Sequence, residues 1–127
     1  MIKKLAFYDL SAIITAAGIE VMAFQELRKK PDGLEIVKRF RSEAETLLQN
    51  LDQRWVTLCD GDPQELTDWA NRMLFIRGKL NELDHQLAIS NKPHLFRWDT
   101  VLFVMGLVNA FRVAAELMID YNSPLPK

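Results

Sequence analysis

Hydrophobic residues recur along the chain at steps of three and four, and nowhere in the two-residue rhythm of a half-buried strand. The cleanest run is Leu66, Trp69, Met73, Ile76, Leu80, Leu83 and Leu87, a heptad seam with Asp68, Arg72, Lys79 and Asp84 lying off it. Val37, Phe40, Ala44, Leu47, Leu51, Trp55 and Leu58 nearly repeat it, with one extra residue before Trp55. Here Lys38, Arg39, Glu43, Glu45 and Asp52 are off the seam. Both segments are predicted to be helices with one dry face and one wet face.

The flanking segments read differently. From Leu10 to Leu27 the chain is apolar on most sides, with Ser11, Thr15 and Gly18 as its only small or polar stripe. The fourth segment, 95–121, collects Asn109, Arg112, Glu116 and Asp120 in its second half, whereas "TVLFVMGLVNAF" at 100–111 is a twelve-residue run without a charge. "KKPDG" at 29–33, "CDGDP" at 59–63 and "SNKP" at 90–93 separate the segments. Asp32 with Glu35, and Asp62-Pro63 with Glu65, have the spacing of helix-start capping boxes. Pro124 and Pro126 stop the last helix, leaving an irregular tail at 122–127. The pattern predicts an all-α fold: one domain over 1–121, an antiparallel up-down-up-down four-helix bundle. Each helix has about 28 residues and spans ~40 Å, and the first lies beside the fourth.

That arrangement leaves too much apolar surface on the outer pair. A bundle helix keeps a polar face toward water, yet Phe96, Val101, Leu102, Phe103, Val104, Met105, Leu107 and Val108 cannot all point at one axis. Three covers suggest themselves: a partner chain, most simply a second copy; a bundle distorted so that the fourth helix becomes central; or contact with a membrane. Covering a further Leu- or Phe-sized side chain stabilises by about 1.5–3 kcal/mol, so a partner, with a homodimer favoured, is the expectation. Phe96, Trp98, Val101, Leu102, Phe103 and Met105 are its predicted interface, with Trp98 as the aromatic anchor. Trp55 and Trp69 are expected to plug one end of the core.

Composition narrows the function classes. A formal net charge of -1, from 16 basic and 17 acidic residues, gives no overall field toward nucleic acid or an anionic membrane. The single cysteine, Cys59, excludes an intrachain disulfide and a multi-cysteine zinc site, and a cytoplasmic location is expected. "MIKKLAFYDLSAIITAAGIE" has basic and apolar stretches, but Asp9 and Glu20 interrupt them and no signal cleavage is expected. No charge-free run reaches the ~18 residues of a membrane span.

Candidate chemistry is sparse. Glu82-x-x-His85 has the spacing of di-iron bundle ligands, but the seam turns both residues outward and Asn91 stands where a second motif would need its glutamate before His94. Glu65 and Asp68 offer paired carboxylates of the kind that magnesium-dependent all-α nucleotide pyrophosphatases use. The facing Glu43 and Glu45, two residues apart, point in different directions, and Glu65 and Asp68 already suit the positive end of their own helix. The glycines are scattered, so no phosphate loop forms, and Cys59 lies at a helix C-terminus beside Asp60 and Asp62, which opposes a thiolate.

Arg28, Lys29, Lys30, Lys38, Arg39 and Arg41 cluster around the first turn and form a candidate patch for an anion or an acidic partner. Glu20 and Arg112, midway along the two apolar helices, are expected to make a buried structural pair, since an unpaired carboxylate there would be costly. The functional expectation is a non-enzymatic helical interaction module of inhibitor, immunity, adaptor or small-subunit type. It would need no cofactor or metal and would associate through helices one and four. The alternatives are an accessory nucleic-acid-binding subunit using residues 28–41, and a metal-dependent bundle enzyme.

Overall fold

The computed structural model describes residues 9–123, so the basic start of the N-terminal segment and the prolines of the tail lie outside the described residues. Four helices carry the fold: α1 (Leu10–Phe24), α2 (Gly33–Cys59), α3 (Pro63–Ala88) and α4 (Trp98–Asn122), with no strand among the described residues. A five-residue 3-10 turn, Gln25–Lys29, continues α1. The all-α, four-helix reading holds.

The inner pair forms as its seams dictate. On α3, Trp69, Met73, Ile76, Leu80 and Leu83 are buried. On α2, Val37, Ala44, Leu51 and Trp55 are buried with Leu48 beside them, and the seam residues Phe40, Leu47 and Leu58 are half-buried. Contacts between the two helices link Arg41 to Asp84, Glu45 to Arg77 and Asp52 to Trp69, descending α3 as they climb α2. Helices running in opposite directions produce that order, and the short connection reverses the chain through Asp60 and Gly61, both at positive φ (49° and 78°).

The two predicted caps part company. Asp62 accepts hydrogen bonds from the backbone N–H groups of Gln64 (3.0 Å) and Glu65 (3.4 Å), with Pro63 in the first turn behind it. Asp32 makes no side-chain cap; Glu35 instead accepts from Lys38 at 3.3 Å. Asp32 sits in a tight turn in which the Gly33 N–H already donates to the Lys30 carbonyl (3.1 Å). Its backbone (φ -98°, ψ 14°) also lies away from the extended region that N-caps favour.

The uncharged run at 100–111 finds its place inside the chain. α4 packs against α1 on one side and against α2 and α3 on the other, whereas α1 touches α2 chiefly through its C-terminal end. Val101, Leu102, Val104, Met105, Leu107, Val108 and Phe111 are all at most 1% exposed. The distorted arrangement with a central fourth helix is therefore the one adopted. Phe111 stacks on Trp69 (5.6 Å between centroids), which stacks on Trp55 (4.8 Å), tying α4 to α3 and α2. Trp69 Nε1–H donates to Asp52 Oδ1 at 2.7 Å, so this buried indole keeps a partner.

Small residues bring α1 onto α4. A methyl group at Gly106 would stand 2.7 Å from the Ala17 carbonyl oxygen, so the backbones meet where only glycine fits. Ala110 and Ala114, each one turn further along α4, extend the same close approach opposite Ala12 and Ala16.

Candidate functional site

Burial divides the predicted interface in two. Val101, Leu102 and Met105 are enclosed by the chain itself and are not available to a partner, which corrects their assignment as interface residues. Phe96, Trp98 and Phe103 are half-buried against the same core. Trp98 meets Phe96 edge to face (5.3 Å) and lies over Gly33, closing one end of the bundle instead of projecting from it. The physical reason for the three enclosed residues is that α1 covers α4 on one side and the inner pair covers it on the other, within one chain.

The apolar excess reappears on α1. Among its 15 residues only Ile13 and Ala17 are buried. Ile14, Ile19 and Met22 are 38%, 68% and 75% exposed, and across the seam with α4 so are Val113 (40%) and Leu117 (48%). Between the two helices runs a groove of about 180 Å³ lined by Ala12, Ile13, Ala16, Ala110, Val113, Ala114 and Leu117, with Glu20 at its polar end. By length and composition, Leu10–Lys29 and Trp98–Asn122 would each be long and apolar enough to cross a membrane; 67% of the second window is buried inside the protein but only 17% of the first. Allowing an occasional charge thus admits segments that a charge-free criterion rejects.

The predicted pair of Glu20 and Arg112 is relayed and not buried. Asn109 Nδ2 donates to Glu20 Oε2 (2.9 Å), and Arg112 donates to Asn109 Oδ1 (2.9 Å) and to Glu116 Oε2 (3.2 Å). Arg112 remains 35% exposed in its side chain, and among the described residues no polar or charged residue is fully buried. The exposed stripe of α4 reaches this level, so the carboxylate keeps access to water and needs no direct cation.

The basic cluster is largely neutralised. Arg28 pairs with Asp99 (2.7 Å), Lys29 with Glu26 (3.9 Å), Lys38 with Glu35 (3.3 Å), and Arg41 with both Asp84 (2.7 Å) and Glu45 (3.6 Å). Asp84 raises the Arg41 guanidinium above its ordinary value by hydrogen bonding, against the opposing effect of burial. Among the described residues Lys30 and Arg39 have no ion pair, and they share the rim of one shallow hollow with Glu26 and Glu43. Such a surface carries little net field toward phosphate. Glu26 and Glu35 are neighbours in sequence, but Asp84 and Asp99 come from distant segments and were not foreseen; the alignment of α2 with α3 was the available signal for the first.

The metal candidates do not assemble. Among the described residues no group of three or more His, Cys, Asp or Glu side chains converges. Glu82 and His85 line a shallow depression with Gly78, Asn81, Gln86 and Thr100, and Glu82 already accepts from Lys79 at 3.4 Å. Cys59 is buried at the end of α2. Comparison with protein-family models, curated proteins and solved structures finds no match for this chain.

Proposed function

We infer that this chain is a non-enzymatic helical interaction module that docks on another protein chain, in the cytoplasm, through α1 and the adjoining flank of α4. One observation carries the reading: α1 is apolar on most sides, yet it buries one narrow face and leaves Ile19 and Met22 mostly in solvent. A helix of that composition is ordinarily covered on every side. The nucleic-acid alternative loses support because most cations of the 28–41 cluster already have carboxylate partners. The metal-dependent enzyme alternative has no convergent group of three or more His, Cys, Asp or Glu side chains behind it among the described residues.

Sedimentation of the purified chain, alone and with lipid vesicles, tests the reading across ~1–100 μM, where modest associations become visible. Mass above the monomer, or a stoichiometric complex with a second protein, is the expected result. A chain that stays monomeric, joins no protein and pellets with vesicles would overturn it.

A further inference from the structure

The face shared by α1 and α4 has a hole with no knob in it and a knob with no hole around it. The hole is the groove of about 180 Å³ whose walls include Ala16, Val113 and Leu117. The knob is Ile19, 68% exposed and three residues beyond Ala16 on the same helix. Resting on the interaction reading above, we propose that the groove is filled by a second copy of this chain, whose α1 lies antiparallel on α1 so that Ile19 of each copy enters the groove beside Ala16 of the other. A two-fold axis makes such a contact reciprocal. The steps 12, 16, 19 and 23 follow one helix face, and the same axis sets Ala12 against Ala23. Alanines at three of these four positions let the helices approach closely.

Charge agrees with this occupant. Glu20 is the one ionisable residue of α1, and its carboxylate is engaged by Asn109 at 2.9 Å, so no like charges meet along Leu10–Phe24, although beyond its ends the same register sets Asp9 against Glu26. α1 runs opposite to α4, with Glu20 against Asn109 and Ala12 and Ala16 nearer Val113 and Leu117. A visiting α1 that is antiparallel to the resident one therefore runs parallel to α4. It carries Lys29 and Lys30 of the second copy toward Glu116 and Asp120 at the end of α4. Those charges are complementary: Lys30 has no ion pair among the described residues, and Glu116 and Asp120, each already holding one arginine (Arg112 at 3.2 Å and Arg54 at 3.4 Å), can take a second cation as Glu45 does.

The test uses the full chain. Ala16→Cys protein mixed with Ile19→Cys protein under mild oxidation should give a covalent dimer, in much higher yield than either protein alone; the native Cys59 is buried and does not compete. Ile19→Asp changes a solvated side chain, so helix content should be unchanged while self-association weakens about tenfold or more. A dimer that survives Ile19→Asp and gives no 16–19 cross-link would overturn this pairing and leave the interaction reading standing. A monomer that instead binds a different protein would overturn the second copy as occupant. A monomer that binds only vesicles would overturn both.

Discussion

Two glycines on facing sides of the same packing problem behave oppositely. Gly106 lies where α4 meets the α1 backbone, and a methyl group there would stand 2.7 Å from a carbonyl oxygen that cannot swing aside. Gly18 lies mid-helix with nothing within 4 Å of its added Cβ. Gly106→Ala should therefore destabilise by about 1–3 kcal/mol, the usual cost of overpacking. Gly18→Ala should stabilise by about 0.4–1 kcal/mol, because alanine restricts the unfolded chain and suits a helix. Urea unfolding followed by circular dichroism checks both, and equal effects would mean that α1 does not sit this closely on α4. The sequence marks the two glycines alike, as small residues in apolar helices. Which one is indispensable depends on the rotation of α4 about its axis, a quantity that no local pattern encodes.

Along α2 and α3, the seams were legible because each helix has a wet face that fixes its orientation; what the seams leave open is which charges meet across the pair. Asp52 reads as solvated, yet it holds the indole of Trp69. Glu45 likewise reads as surface, but it receives Arg77 at 2.7 Å and Arg41 at 3.6 Å. The hydrogen bond from Arg77 holds the Glu45 carboxyl below its ordinary value of 4.5, against the opposing effect of desolvation and with the charges of both arginines adding to it. A group whose folded value is depressed contributes stability that is fully present above its unfolded value and is lost as pH falls through the folded one. The acid limb of a stability-against-pH curve should thus steepen below about 4.5. Glu45→Gln should flatten it there and leave the curve near neutrality parallel to the wild type. An unaltered acid limb would show that the bridge between α2 and α3 is too well solvated to matter.

For the molecule as a whole, the uncharged run of α4 signalled correctly that more than one surface must cover it; that both covers come from the same chain was not legible, because nothing in α4 names its neighbours. The consequence is an uneven distribution of stability. α4 is held from both sides, whereas α1 is held by α4 and, at its end, by the edge-to-face contact of Phe24 with Phe40. At 15 residues α1 is near the length at which an isolated helix is marginal in water, so its helicity depends on that one dry face. Opening α1 alone exposes far less apolar surface than opening the core, and local openings of low cost exchange their amide hydrogens first. Hydrogen exchange should accordingly find α1 the least protected of the four helices in dilute protein. If a second copy covers its outer face, protection of α1 should rise with protein concentration while that of α2 and α3 stays fixed, since mass action stabilises only what the partner touches. Protection in α1 equal to that in α4 at every concentration would show that α1 belongs to the same cooperative unit as the core and needs no second cover.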